Sequence, residues 1–417
     1  NVKLERCYMF FMSIIFLVIS YSLFKILLDL HQIKYIKSTY ISDNELRAIN
    51  LTQEYAEKSR LYNTEKLYIS ILNTFIQSFV IIIFLSFDGI FILEKVANIV
   101  NIFALNPELI NIMLFTIFLT SIGLPVSYYK TFIIEKAYGF NRQSKALFFK
   151  DFILSLIIGL IMFSLLFFAF DALYNLYSNK WWIYMWLVFI AFNVSVIYLF
   201  PILISPLFNS FKKIDDEKIV SGIKNLANKT NFNISDVYVM DGSKRSKHSN
   251  AYFTGFYKNK RIVFYDTLLD LLTPNEIKSV LAHEIGHYVK KHITQSMIIN
   301  LFISFLFFYL SYQIISLEIL FKELGMNKDS TSHIVILFSL LLPCILYFIA
   351  PLFSVLSRKN EYEADNYAKL HTDKNDLISS LLKLYKENLN LIKSSPIYSA
   401  VYNSHPTVFE RINNLKL

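Results

Sequence analysis

The stretch "VLAHEIGHYVKKH" (residues 280–292) ends where a long apolar run begins, at residue 294. His283 and His287 are four residues apart, so both lie on one face if this stretch is helical. Glu284 lies about 100° round the helix from His283 and can reach a water molecule on a metal held by the two imidazoles. Two imidazoles and a third ligand suit Zn²⁺ and leave one position open for water. The stretch therefore predicts a water-activating metal site beside a membrane span.

The residues before this stretch predict where its helix begins. Thr273 suits the N-cap, Pro274 suits the first helical position, and Glu276 follows the cap by three residues, as in a capping box.

The composition indicates a membrane protein with several spans. Of the 417 residues, 54% are hydrophobic and 18% are charged, whereas a soluble domain usually carries about 25% charged residues. A helix needs about 20 mostly apolar residues to cross a bilayer. The sequence thus predicts a mainly α-helical, polytopic membrane protein with about seven transmembrane helices. The seven apolar stretches are 8–30, 68–94, 109–134, 152–176, 181–204, 294–317 and 333–356.

The distribution of Lys and Arg predicts the orientation of the chain. The loops after the first six spans contain six, one, five (with Lys130), one, fourteen and two of these residues, and the tail contains nine. The positive-inside rule places the rich segments in the cytosol. The N-terminus is then luminal, and the tail is cytosolic. The net charge of +9 follows from this topology, and no nucleic-acid-binding module is predicted.

Two long polar segments, 205–293 and 357–417, remain outside the spans. The first contains three runs rich in Val, Ile, Tyr and Phe, which predict a small β-sheet with a hairpin around Lys258–Lys260. These runs are 236–241, 250–256 and 261–269. The predicted organisation is 1–204 for spans one to five, 205–293 for a cytosolic metalloprotease segment, 294–356 for spans six and seven, and 357–417 for a segment that completes the site.

The third metal ligand does not follow directly after His287. The extended zinc motif needs a glycine at position 290 and a histidine at position 293, but this chain has Lys290 and Ile293. His292 turns about 140° away from His287 on a helix, which makes it a poor ligand candidate. The third ligand is therefore expected from another part of the chain.

The stretch "SRKNEYEADNYAKL" (357–370) offers acidic candidates after the seventh span. Glu361 and Asp365 share one helical face, and Glu363 points elsewhere. Spacing alone leaves both Glu361 and Glu363 open as the ligand. An isolated acidic cluster is usually a solvated helix face, but an incomplete metal site in the same chain favours a ligand role.

Several stretches together resemble one family, the membrane-embedded zinc proteases that process prenylated CaaX proteins. "HEIGH" before a span and "SRKNEYEAD" after the next resemble its two metal motifs. The resemblance runs nearly end to end and implies a barrel-like chamber of seven helices with the zinc on its cytosolic side. The other matching stretches are "YAEKSRLYNTEK" (55–66), "FIIEKAYGFNRQS" (132–144), "GSKRSKHSNAYFTGFYKNKRIVFYDTLL" (242–269) and "YNSHPTVFERI" (402–412).

The resemblance implies a metal-site role for five residues. His283, His287 and Glu361 would bind one Zn²⁺, since the family ligand is the first Glu of Glu-x-x-Ala-Asp. Glu284 would be the general base. Asp365 would orient a ligand imidazole.

The resemblance also implies a substrate site. Asn250, Ala251 and Tyr252 would bind the substrate backbone by strand addition. His405 would help to stabilise the oxyanion, and Arg411 would support that pocket electrostatically.

The implied activity is removal of the last three residues (aaX) from CaaX proteins that carry a farnesyl or geranylgeranyl group on the cysteine. The lipid holds such a substrate at the bilayer. The implied location is the endoplasmic reticulum membrane, and a monomer is expected. Two other functions stay open: a zinc protease for quality control of membrane proteins, and a non-catalytic scaffold or receptor for lipidated proteins.

Overall fold

The computed structural model describes residues 9–100, 106–230, 232, 236–254 and 261–417. Within these ranges, seven helices are long and apolar enough to cross a membrane. Each predicted span overlaps one of them, so the predicted number of spans is confirmed. They are Met9–Ser38, Gln53–Ser86, Pro107–Glu135, Lys145–Leu176, Trp181–Phe208, His292–Ile315 and Thr331–His371.

The first half of the chain is helical, with one break that the sequence did not predict. The second span was predicted over 68–94, but its helix ends at Ser86 and a new helix begins at Gly89. Asp88 has a φ of 51°, which a helix does not allow. A Cβ at Gly89 would overlap the ring of Phe84, so only glycine fits there. The elements are α1 (Met9–Ser38), α2 (Asp43–Ala48), α3 (Gln53–Ser86), α4 (Gly89–Val100), α5 (Pro107–Tyr129), α6 (Lys145–Leu176), α7 (Trp181–Leu199) and α8 (Ser205–Phe208).

Short π-helical segments extend two of these helices. Lys130–Glu135 continues α5, and Phe200–Ile204 connects α7 to α8. Pro125 lies inside α5, and Pro201 lies in the second π-helical segment. Proline removes a backbone donor, so irregular turns near it are expected in a long helix.

A small mixed sheet follows, in the strand order β1-β2-β4-β3. The three predicted strands are present, but β1 was not predicted because its run "FKK" is short and basic. The third strand ends earlier than predicted, since Asp266 Oδ1 accepts hydrogen bonds from the backbone N–H groups of Ser243 and Thr267 (both 2.9 Å) and begins a helix. The predicted turn at Lys258–Lys260 lies outside the described residues. The elements are β1 (Phe211–Lys213), α9 (Glu217–Lys229), β2 (Asp236–Met240), β3 (Ala251–Thr254), β4 (Arg261–Tyr265) and α10 (Asp266–Leu271).

The last part of the chain contains one helix that is much longer than its predicted span. That span was predicted to end at 356, but the helix runs unbroken over Thr331–His371. Pro343 and Pro351 lie inside it without ending it. The acidic motif is therefore a rigid continuation of a membrane-length helix. The elements are α11 (Pro274–Val289), α12 (His292–Ile315), α13 (Glu318–Glu323), α14 (Thr331–His371), α15 (Lys374–Glu387), α16 (Pro396–Tyr402) and α17 (Val408–Lys416).

One hydrophobic core joins the sheet to α11 and to the helices of the tail. Each fully buried Leu, Ile or Phe stabilises such a core by about 1.5–3 kcal/mol. Segments 205–293 and 357–417, which two membrane-length helices separate in the sequence, share this core. The core therefore positions α11 against α14. Its members include Phe264, Leu268, Ile277, Leu281, Ile285, Ala368, Leu377 and Leu415.

Candidate metal centre

The helix that carries the two histidines begins at a well-defined cap. Thr273 is the N-cap of α11 and Pro274 is its first residue, as predicted. Thr273 Oγ1 accepts a hydrogen bond from the Glu276 N–H (3.4 Å), and Glu276 Oε2 accepts one from the Thr273 N–H (2.8 Å). Glu276 also accepts hydrogen bonds from Ser379 Oγ (2.6 Å) and Lys383 Nζ (2.7 Å) on α15. The buried carboxylate thus fixes α11 to its own start and to α15.

Gly286 allows α11 and α14 to approach closely. A Cβ at position 286 would lie 3.0 Å from Ala364 Cα and 3.1 Å from the Ala364 carbonyl oxygen. Both are backbone atoms, which cannot move aside as the end of a flexible side chain can. Ala282, one turn earlier, is fully buried. The small residues of "AHEIGH" therefore bring the histidine face of α11 against the acidic motif on α14.

His283, His287 and Glu361 come together at this crossing. The two Nε2 atoms of the histidines are 3.2 Å apart. Glu361 Oε1 lies 3.2 Å from His287 Nε2, and Glu361 Oε2 lies 3.5 Å from His283 Nε2. Ligand atoms of the three residues lie within 4.8 Å of one another. Glu363, the alternative that spacing left open, points instead to His292, with its Oε2 3.2 Å from His292 Nε2.

These donor atoms fit a metal ion. Glu361 is buried, and its Oε2 accepts no well-aligned hydrogen bond from the described residues. An unsatisfied buried carboxylate oxygen is costly. A cation between the two imidazoles and the carboxylate would satisfy it. Two His and one carboxylate form a ligand set that catalytic zinc sites use.

A buried ion pair contacts His283 at Nδ1, the ring nitrogen that does not face the other ligand candidates. His283 Nδ1 lies 2.9 Å from Asp365 Oδ1. Arg411 donates two hydrogen bonds to the same carboxylate, at 2.6 and 2.8 Å. Asp365 is completely buried, so the paired guanidinium is needed to offset the cost of its charge. If His283 Nδ1 donates to Asp365, its Nε2 lone pair faces the metal position.

The same contacts shift the pKa of His283. Burial alone lowers this pKa, but the hydrogen bonds to Asp365 and Glu361 outweigh burial and raise the pKa to about 9. For Arg411, burial likewise lowers the pKa, and the hydrogen bond to Asp365 more than offsets that and keeps the guanidinium charged. The imidazole of His283 therefore holds a proton strongly when no metal is bound, so metal binding must displace that proton.

A second set of contacts, through His292 and Glu363, orients the ring of His287. Its Nδ1 lies 3.0 Å from Nδ1 of His292, and His292 Nε2 lies 3.2 Å from Glu363 Oε2. If His292 donates from Nε2 to the carboxylate, its Nδ1 accepts from His287 Nδ1–H. The lone pair of His287 Nε2 then faces the metal position. Each histidine ligand candidate thus has its own orienting partner.

Glu284 lines a cavity of about 240 Å³ beside the three ligand candidates. We call it the metal cavity. Carboxylates, imidazoles and hydrogen-bond donors surround this space, which can hold part of a substrate. Its polar lining includes Asn250, His283, Glu284, Glu361, Tyr385, Asn388, Asn390, His405 and Arg411.

Strand β3 reaches this cavity with one end. Asn250 and Ala251 line the cavity, whereas the Tyr252 hydroxyl points to Met240 Sδ at 3.9 Å within the sheet. The side chain of Tyr252 is therefore not among the cavity residues, and only its backbone is placed to meet a substrate. Because the strand order is β1-β2-β4-β3, one edge of β3 is left unpaired by the described strands. An extended peptide can add to such an edge.

His405 and Tyr385 face the cavity from the tail. His405 Nδ1 lies 2.9 Å from Glu361 Oε2, and its side chain is 65% exposed. The Tyr385 hydroxyl donates to the Pro406 carbonyl oxygen at 3.3 Å. Burial raises the pKa of Tyr385 to about 12, so it remains a donor at neutral pH. Both groups can therefore donate to an oxygen that gains negative charge in the cavity.

Comparison with known proteins assigns this arrangement to a family. A model of the CAAX prenyl protease N-terminal region with five membrane helices matches residues 32–210, and the model of peptidase family M48 matches residues 213–417. The CAAX prenyl protease 1 homolog of Arabidopsis thaliana is 32% identical over 95% of each chain. The Homo sapiens homolog is 31% identical and covers 88% of this chain, which covers 87% of it.

This chain belongs to the CAAX prenyl protease 1 family. A solved structure agrees: the crystal structure of S. mikatae Ste24p superposes with a TM-score of 0.90 at 28% identity, covering 98% of this chain and 99% of that one. The family is one of membrane metallopeptidases, so the predicted fold class and enzyme class are confirmed. The roles given to individual residues stay predictions.

Two features of this family member were missed in the sequence. His292 was set aside on the assumption that one helix continues through it, but α11 ends at Val289, and Lys291, with a φ of 60°, redirects the chain so that His292 lies behind His287. A His five residues after a ligand His could have been examined as an orienting partner. Tyr385 gave no sequence signal, since it lies on an ordinary amphipathic helix and reaches the cavity only through packing of α15.

Proposed function

We propose that this chain is a zinc endopeptidase that hydrolyses the peptide bond after a prenylated cysteine and releases the C-terminal tripeptide. The observation that carries the proposal is the metal cavity, in which Glu284, the ligand candidates and the open edge of β3 meet. The relatives in Arabidopsis thaliana and Homo sapiens are named for cleavage of prenylated CAAX proteins. The residues needed for the reaction all come from one chain, so a monomer suffices.

In the proposed reaction the substrate backbone adds to the edge of β3, which fixes its carbonyl beside Glu284. A zinc ion held by His283, His287 and Glu361 would supply Lewis acidity and lower the pKa of a water molecule. Glu284 takes a proton from the water whose oxygen attacks the carbonyl carbon, and gives that proton to the amine nitrogen as the C–N bond breaks.

Three further cavity residues stabilise charged groups of the substrate or of the site. His405 and Tyr385 donate to the carbonyl oxygen as it gains negative charge. Arg411, through its contact with Asp365, keeps that carboxylate ionised and in place.

We also propose that the cleavage occurs on the cytosolic side of the endoplasmic reticulum membrane. The loops rich in Lys and Arg and the whole metal segment belong to the same predicted side. A prenylated tail is anchored in the bilayer, so a site next to membrane helices receives it without extracting the lipid.

The test uses purified full-length protein in detergent and a farnesylated CaaX peptide, with release of the tripeptide as the readout. Glu284→Gln should bind the metal but lose cleavage, and a chelator should abolish cleavage by the unchanged protein until Zn²⁺ is restored. Glu217→Gln, at an exposed position in the first turn of α9 and outside the metal cavity, is the matched control. Cleavage of an unlipidated membrane protein but not of the peptide would move the function to quality control. Bound metal without cleavage of either would support the scaffold.

A further inference from the structure

A second cavity of about 760 Å³ lies among the membrane-length helices and borders the metal cavity. We call it the inner chamber. Tyr385, Asn390 and His405 line both cavities. A peptide bound across the metal site can therefore extend into the chamber without leaving the protein.

The lining of the inner chamber is mixed and comes from membrane-length helices and from the tail segment 385–407. Its aliphatic members among the described residues are Leu67, Ile69, Val126 and Leu391. The remaining side chains are mostly amides, hydroxyls and phenols, which can form hydrogen bonds with a peptide. The polar lining includes Gln32, Asn63, Ser70, Asn73, Gln77, Ser127, Ser394, Asn403, Ser404 and Thr407.

Two lysines, Lys66 and Lys130, also line the chamber, and no described Asp or Glu does. Lys66 Nζ lies 4.7 Å from the ring centre of Tyr62. In the part of the chain that the structure describes, neither ammonium forms an ion pair with a carboxylate. Neither lysine therefore has a described carboxylate in direct contact, although Glu135 attracts Lys66 from a distance.

Glu135, the acid that could neutralise the two lysines, contacts other residues instead. Glu135 Oε1 accepts a hydrogen bond from the Tyr62 hydroxyl at 2.9 Å, and its Oε2 lies 3.3 Å from His248 Nε2. Lysines near helix ends usually extend towards water outside the protein. Lys58 and Lys136 are exposed and do not line the chamber, whereas Lys66, which is half-buried, and Lys130, which is exposed, both line it.

We propose that Lys66 and Lys130 bind the free α-carboxylate at the C-terminus of the substrate. The inference rests on the proposed function. A three-residue tail extends at most about 10 Å beyond the scissile bond, and we place it in the inner chamber because the chamber shares Tyr385, Asn390 and His405 with the metal cavity. The terminal carboxylate is the one charge that every such tail carries, whatever its side chains. Binding that carboxylate at a fixed place sets the distance between the chain end and the cleaved bond, and therefore the number of residues released.

The test compares two farnesylated peptides that differ only at the terminus, a free acid and a carboxamide. The unchanged protein should prefer the acid in kcat/KM by about 10- to 100-fold, the range for a charged hydrogen bond. In the double variant Lys66→Gln/Lys130→Gln this ratio should fall towards one. Lys66→Arg/Lys130→Arg should retain most of it.

The control is the double variant Lys58→Gln/Lys136→Gln, which removes the same charge from two exposed positions outside the chamber. It should keep the preference of the unchanged protein. Bound metal and a monodisperse elution profile confirm that each variant is folded.

A second measurement uses the released product. The tripeptide acid should inhibit the unchanged protein competitively, and its amide should inhibit less. Equal cleavage of acid and amide by the unchanged protein, or an unaltered ratio in the double variant, would overturn the inference. So would a ratio that changes only with the content of anionic lipid, since that would make a headgroup the ligand. Failure to cleave either peptide would instead refute the proposed function.

Discussion

The Nδ1 atoms of His287 and His292 lie 3.0 Å apart, and His292 in turn contacts Glu363. His283 has the equivalent contact with Asp365. Both contacts favour the tautomer in which Nδ1 carries the proton and the Nε2 lone pair faces the metal position. The two sets of contacts differ in the burial of their carboxylates: Asp365 is completely buried, whereas the Glu363 side chain is 40% exposed.

His292→Ala should weaken metal binding by about 10- to 100-fold, the usual effect of removing an orienting partner. The reason is that His287 loses the acceptor that fixes its ring. Competition with a chelator of known affinity, followed by metal analysis, measures the change directly. Glu363→Gln should act in the same direction but less, because Glu363 acts on His287 only through His292 and is partly solvated, with Lys359 Nζ 3.9 Å away.

His371→Ala is the control for this prediction. His371 lies on the same helix as Glu361 and contacts the ring of Tyr367, with ring centres 4.4 Å apart, but it does not line the metal cavity. Its metal affinity should equal that of the unchanged protein. Equal affinity in His292→Ala as well would mean that His287 is oriented without its neighbour.

Gly286→Ala should destabilise the protein and reduce its metal content. The new Cβ would lie 3.0–3.1 Å from backbone atoms of Ala364, so α11 and α14 must separate. Such overpacking typically costs about 1–3 kcal/mol. Thermal unfolding in detergent and metal analysis of the same samples give both quantities.

Gly222→Ala on α9 provides a control of opposite sign. A Cβ at that position meets nothing within 4 Å, so the substitution gains up to about 1 kcal/mol from helix propensity. The same chemical change should therefore raise the unfolding temperature at 222 and lower it at 286. An unchanged metal content in Gly286→Ala would show that the crossing can relax without moving Glu361.

Local sequence signals predicted the spans and the start of the metal helix well. Seven spans follow from apolar length, and the cap at Thr273 follows from its own residues and Glu276. These features depend on neighbours in sequence. The family resemblance extended the prediction to the tail residues, whose proximity to the metal no local pattern encodes.

Features that depend on packing were missed or misjudged. The long α14 was predicted as a span and a separate helix, because composition changes at 357 although nothing there ends a helix. His292 was judged only as a ligand on an unbroken helix, and the chain reversal at Lys291 that places it behind His287 gave no sequence signal. Lys66 and Lys130 counted only as topological charges, and the chamber that they line appears only when distant helices are assembled.

Glu276→Gln should reduce stability at neutral pH by about 1–3 kcal/mol, because a buried charged hydrogen-bond network loses its acceptor charge. Burial raises the pKa of Glu276, but the hydrogen bonds from Lys383, Ser379 and Thr273 outweigh burial and lower it below its usual 4.5. A depressed pKa means that the stabilisation is full above the unfolded-state value and is lost as the pH falls through the folded-state value. Unfolding of both proteins from pH 7 to pH 3 should therefore show a difference that shrinks in acid. A constant difference would indicate a packing effect instead.

His405→Ala should lower kcat by about 100-fold and leave KM and metal content nearly unchanged. This loss is typical for removal of one donor to a developing oxyanion. The exposed ring of His405 can contact a substrate. Without it, Glu361 still contacts both histidines and Arg411 Nη1, which is 3.5 Å away. Glu361 should therefore stay in place as a ligand. Steady-state kinetics on the farnesylated peptide and metal analysis separate the two effects. Loss of metal in parallel with activity would instead make His405 a residue that orients Glu361 through the 2.9 Å contact.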